Sequence, residues 1–232
     1  MSRYDGRSGS LGRLGFGAGA AWVVCILVGN GMTESGAPLD DTPAASLAYF
    51  QLQQAGSHRF AIGLELLGFC LMVVFLARLH AALRDAEGPG GWLSGLALAG
   101  GLTTVAVKLA SAAGIVVGLS VDDLTAEQAQ LLLRLGNGAF LVAAMTSGLL
   151  VLGAAGSALE SGLLPRWLGL LGLPIGLLAV LGSLAPTSLD GGPGVAGFLL
   201  GLLWLAGVSV LLAARGNPVR VFPGREAVHA GA

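Results

Sequence analysis

Six stretches, each about twenty residues or longer and nearly free of charge, run through this chain. They cover about Leu14–Met32, Phe60–Leu79, Trp92–Leu119, Leu131–Ala158, Trp167–Ala185 and Val195–Ala214. A helix needs about 20 mostly apolar residues to cross a hydrocarbon layer ~30 Å thick. Inside lipid no water reaches the backbone, so each N–H and C=O must find a partner in a helix or a closed barrel. Barrel strands run roughly 10 residues with strict alternation, and these segments are longer and uniformly apolar. The expected fold is therefore all-α: one membrane domain over residues 1–232, built as a six-helix transmembrane bundle. Composition agrees. Charged residues make up 11% of the chain, against ~25% in a soluble domain, too few to clothe a globule of this size. Net charge is −1 with no basic block, which leaves no basis for a nucleic-acid partner. The partner that composition implies is the lipid bilayer.

The first span follows Arg3, Arg7 and Arg13, as the core of a signal peptide would. Its apolar run exceeds the usual h-region of roughly 7–15 residues, and no A-x-A site closes it. It is expected to stay as the first helix. Lys and Arg in short loops set orientation. With six spans, one side collects Arg3, Arg7, Arg13, Arg78, Arg84, Arg166, Arg215, Arg220 and Arg225, and the other only Arg59. The bias predicts both termini on the cytoplasmic side, with residues 215–232 as a cytoplasmic tail. The outer loops carry Glu34, Asp40, Asp41, Asp122, Asp123, Glu127 and Asp190.

The loop Thr33–Arg59 is long for a connection. Thr42 can cap a helix there, Pro43 suits its first position and Gly56 can end it. Leu47 and Phe50 give that helix an apolar side, which predicts an interfacial helix over about Pro43–Ala55 lying on the headgroups. A lid over an outward pocket is the alternative. Thr125 and Gln128 have capping-box spacing at the start of the fourth span. The short connection Leu159–Arg166 predicts an antiparallel hairpin of spans four and five. Gly114/Gly118, Gly172/Gly176 and Gly197/Gly201 each have the four-residue spacing of close helix approach, although 39 glycines supply such spacings by chance as well. Pro174 lies within span five and is expected to kink it.

Charges inside spans are costly and are candidates for function. Glu65, Lys108 and Arg134 are such charges, with Asn137 beside them. Gly101, Thr104, Lys108 and Ser111 share one face of span three, and Glu127, Gln130, Arg134 and Asn137 share one face of span four. Both stripes are expected to turn into the bundle. At 1.5 Å per residue, Glu65 lies about 9 Å below Arg59, Arg134 about 6 Å below Gln130 and Asn137 about 10 Å. Lys108 lies about 18 Å below Ser120, with a stem able to reach outward. The four can thus meet in the outer half of the bundle. Such a set either locks helices together or binds a small ligand or lipid headgroup. Its excess positive charge suits an anionic group.

No metal site or cofactor is expected. His58 and His80 sit about 33 Å apart on one span, Cys25 and Cys70 both fall near mid-membrane, where free thiols behave as small hydrophobes, and His229 is in the tail. No HExxH, Cys-x-x-Cys, Walker-type or G-x-S-x-G motif is present, so no enzymatic activity is expected.

The segments HRFAIGLELLGF (58–69), DDLTAEQAQLLL (122–133) and ESGLLPRWLGLLGLPIGLLAVLG (160–182) resemble a bacterial family of six-helix membrane proteins known as a domain of unknown function. The similarity covers about residues 14–214, and its most specific piece is Ser161–Gly169. It implies six helices in a bacterial cytoplasmic membrane and transfers no active-site residue. The function expected is a membrane binding or accessory protein with a buried polar cluster. The alternative is a small transporter, or an outward-facing protein that binds a lipid or an anionic small molecule.

Overall fold

The computed structural model describes residues 5–33, 42–53, 56–184 and 192–215. Arg3, Glu34, Asp40, Asp41, Asp190, Arg220, Arg225, His229 and the tail 216–232 lie outside the described residues, as do the side chains of Arg7 and His58. The described chain is seven α-helices: α1 (Asp5–Thr33), α2 (Pro43–Gln53), α3 (Gly56–Glu87), α4 (Leu93–Ser120), α5 (Ala126–Ser161), α6 (Arg166–Leu184) and α7 (Gly192–Arg215). Six of them, all but α2, are long and apolar enough to cross a membrane. No strand occurs among the described residues. The chain is an all-α, multi-pass membrane protein.

Local chemistry explains where these helices begin and end. Thr125 accepts the Gln128 N–H at 3.3 Å, and the Gln128 side chain accepts the Thr125 N–H at 3.0 Å, so the expected capping box opens α5. Gly162 closes α5 with φ 69°, a left-handed value that costs glycine least, and its N–H bonds the Ala158 carbonyl. Thr42 accepts the Ala45 N–H at 3.3 Å and opens α2 ahead of Pro43. Trp92 precedes α4 but offers no cap. The Glu87 carboxylate, reaching across from α3, accepts the Ser94 N–H at 2.7 Å and the Ser94 hydroxyl at 3.0 Å. A negative group at the positive end of a helix is favourable.

The six long helices close a ring in the order α1, α3, α4, α5, α6, α7, with the broadest faces between α4 and α5, α1 and α3, and α5 and α6. α5 and α6, the fourth and fifth spans, pack along each other as the expected hairpin. α5, at 36 residues or about 54 Å, touches α2, α3, α4, α6 and α7. Glycines set its two closest crossings. A Cβ built at Gly153 would lie 2.6 Å from Ala97 N, and one at Gly100 would lie 2.7 Å from Leu150 N. On the other side, a Cβ at Gly148 would lie 2.7 Å from Gly176 O. Gly172, Gly176 and Gly197 sit at crossings, whereas Gly114 has only the tip of Leu132 near it and Gly201 only ordinary contacts.

Polar groups that lipid cannot satisfy are used to tie helices together. Ser209 of α7 accepts the Ala20 N–H at 2.8 Å and donates to the Phe16 carbonyl, bridging two groups one turn apart on α1. The Trp204 indole donates to Leu168 O at 2.8 Å, joining α7 to α6. α6 runs as one helix through Pro174. Outside the ring the bundle is apolar: Leu131, Leu135, Leu181 and Leu203 are all more than half exposed, the surface lipid requires. Trp92 and Trp167 are likewise exposed at the ends of α4 and α6 that neighbour Arg84 and Arg166, as in an interfacial aromatic belt.

α2 is helical where the capping residues predict it. Its apolar side, however, is taken up by protein. Phe50 is buried on Gly118 of α4, where a Cβ would come within 2.5 Å of its ring. Tyr49 and Phe50 cluster with Ala129, Ile115, Leu119 and Leu132. Aromatic area offered to headgroups by the sequence is instead spent closing one end of the α4–α5 hairpin.

Candidate functional site

The α4 stripe faces the bundle, as its spacing predicts. Gly101 lies under Leu76 of α3. The buried Thr104 hydroxyl meets that of Thr146 at 2.8 Å and donates to Gly100 O at the same distance. Ser111 donates to Gly136 O of α5 at 3.4 Å. Lys108 points its ammonium at the face of Phe140, 4.9 Å from the ring centre. Phe140 in turn meets Phe198 of α7 edge-on at 5.1 Å.

Lys108, itself half-buried, also lines a small cavity with Trp22, Ile26 and Asn30 of α1, Phe69 and Met72 of α3, Thr104, Phe140 and Phe198. Its volume is about 10 Å³, room for one water at most. The walls are mainly rings and hydrocarbon, with Asn30, Thr104 and the ammonium as polar contacts. The Trp22 indole N–H is buried and has no hydrogen-bond partner among the described residues.

Glu65 is half-buried in the seam between α3 and α1. A Cβ at Gly29 would lie 2.5 Å from its Cγ and 3.3 Å from Oε1. Gly29 and Asn30 are successive residues: the first meets Glu65 and the second lines the Lys108 cavity. Helix α1, which supplied no residue to the expected cluster, thus connects its acidic and basic members. Asn30 is the residue that sequence reasoning missed. An asparagine in an otherwise apolar span was the available signal.

The α5 stripe does not turn inward. Glu127, Arg134 and Asn137 are exposed and Gln130 is half-buried. The inward face of α5 is set by Gly136, Phe140, Ala143 and Thr146, which touch α4 and the cavity. Asn137, one residue past Gly136, is rotated about 100° from it. Lys108 and Glu65, both half-buried, flank α1, while Arg134 and Asn137 are exposed on α5.

A second concavity lies at the other end of α3 and α4 from Glu87. It is an open groove of about 430 Å³ lined by Arg59 and Ile62 of α3, Val116, Leu119 and Ser120 of α4, and Asp122 of the following turn. Neither Glu65 nor Lys108 lines it. No group of three or more His, Cys, Asp or Glu that could hold a metal occurs among the described residues. Cys25 and Cys70 are free thiols, the first half-buried and the second exposed. No family model, curated protein or solved structure matches this chain.

Proposed function

We propose that this chain is a non-catalytic binding or accessory protein of a bacterial cytoplasmic membrane, with both termini inside. In this reading its intramembrane charges hold the helix bundle in one arrangement and carry no cargo. The observation that supports this is the surroundings of Lys108. Its ammonium lies on the Phe140 ring beside a small cavity of about 10 Å³, and the groove of about 430 Å³ at the end of α4 does not include it. A transport site needs room for a solute, and a cavity of this size holds one water at most. A cation desolvated on an aromatic face is stabilised by roughly 2 kcal/mol, which suits a strut between α4, α5 and α1.

Lys108→Met tests the reading. A strut lost from the interior should lower the thermal midpoint in detergent by several degrees, at roughly 2–4 °C per kcal/mol for a chain of this size. A ligand site behaves oppositely. Binding residues are commonly held at some cost to stability, so removing one leaves the ligand-free protein as stable or more so. A Lys108→Met protein that melts at or above the wild-type temperature contradicts the proposal.

A further inference from the structure

We propose that the groove between α3 and α4 binds the headgroup of a phospholipid of the ethanolamine type. The site is distinct from the Lys108 strut and does not depend on that reading. Arg59 and Asp122 are exposed at its rim. Among the described residues neither side chain has an ion-pair or hydrogen-bond partner. The groove therefore presents one cation and one anion that are not spent on each other. Next to them Ile62, Val116 and Leu119 continue the wall with hydrocarbon, so that a charged rim adjoins an apolar wall as a headgroup adjoins its acyl chains. Its volume, about 430 Å³, lies in the range of small-ligand sites.

The charges choose among headgroups. The planar guanidinium of Arg59 matches a phosphodiester by two parallel hydrogen bonds. Asp122 accepts from a primary ammonium. Ser120 gives its hydrogen to Val116 O at 2.7 Å, so toward a ligand its oxygen can only accept, which again suits an N–H donor. A choline headgroup has no N–H to give, and quaternary ammonium is otherwise recognised by aromatic cages. No aromatic residue lines this groove. A glycerol headgroup, whose only charge is its phosphate, would meet the Asp122 carboxylate with no cation of its own to offset it.

The test is native mass spectrometry of the full chain in detergent. Phosphatidylethanolamine, phosphatidylcholine and phosphatidylglycerol of identical acyl chains are added in equal amounts. The first adduct should favour the ethanolamine lipid roughly tenfold or more, the scale of one hydrogen bond to a charged group. Arg59→Gln should remove that adduct, and Asp122→Asn should lower ethanolamine binding to the choline level. Both residues are exposed, so both variants should melt as the wild type does, which circular dichroism checks. Glycerophosphoethanolamine, which lacks acyl chains, should not displace the lipid. Equal binding of the three lipids, preference for another headgroup, adducts unchanged in both variants, or displacement by the chain-free headgroup would each overturn the proposal.

Discussion

Adding one methyl group at Gly153 should separate the α4–α5 hairpin measurably. The new Cβ would lie 2.6 Å from Ala97 N and 2.7 Å from Leu93 O. Both are backbone atoms of α4 and cannot swing aside as a side-chain tip can. Ordinary contact begins near 3.4 Å, so the helices must part by roughly 0.7 Å, a gap that forfeits a quarter to a half of each dispersion contact across the interface. Overpacking of this kind costs about 1–3 kcal/mol. The helix-propensity gain of Gly→Ala returns about 0.5–1 kcal/mol. The net loss is about 1–2 kcal/mol, a factor of roughly 5–30 in the folded-to-unfolded ratio. Gly138→Ala is the matched control. It makes the same chemical change within the same helix, but its Cβ would meet nothing within 4 Å, so only the gain remains. Reversible unfolding in mixed micelles, followed by circular dichroism, should show Gly153→Ala less stable than wild type and Gly138→Ala at least as stable. Gly100→Ala, which presses on the same interface, should add little to Gly153→Ala once the helices have parted. Equal stability of the Gly153 and Gly138 variants would refute the close-approach argument.

Three further outcomes follow from other parts of the bundle. Glu87→Ala removes the only acceptor described for the Ser94 N–H and hydroxyl, and should cost about 1–2 kcal/mol, read as a lower melting temperature in detergent. Phe50→Ala empties the seat on Gly118 and should cost about 3 kcal/mol or more, with faster amide exchange confined to α2 and the α4–α5 turn. A reporter active only outside the cell should be silent when fused after Ala232 and active within Asp122–Glu127, and the opposite pattern would reverse the proposed orientation.

Most of the architecture was legible because lipid imposes a length and a polarity rule that six segments of this chain obey. The capping box at Thr125 and Gln128 and the start of α2 at Thr42 were legible because caps are local chemistry. What escaped depends on contacts distant in sequence. Glu87 caps α4 from the end of α3, which no local pattern at Trp92 announces. The apolar side of α2 looked ready for lipid, but Gly118, far along the chain, gives Phe50 a closer fit. Four-residue glycine spacing pointed correctly to Gly172, Gly176 and Gly197. It missed Gly100 and Gly153, whose partners are each other's helices and not a motif. The polar stripe of α5 was taken to face inward because charge in lipid is costly. Gly136, Phe140, Ala143 and Thr146 take that face instead, the ring receiving Lys108 and the smaller residues lying against α4. At the candidate site, Lys108 and Glu65 were legible as intramembrane charges, but their common neighbour, α1 at Gly29 and Asn30, was not.

The proposed strut requires that water and solutes do not reach Lys108, and thiol accessibility measures that directly. With Cys25 and Cys70 replaced by alanine, single cysteines are introduced by Arg59→Cys, Thr104→Cys and Lys108→Cys. A membrane-impermeant maleimide is then applied to each side of the membrane in turn. Arg59→Cys, in the open groove, should be modified readily from one side, while Thr104→Cys and Lys108→Cys should resist from both. Modification of Lys108→Cys and Thr104→Cys at a rate near that of Arg59→Cys would mean that water and solutes reach the pocket, and would contradict the strut in favour of a transport or ligand site.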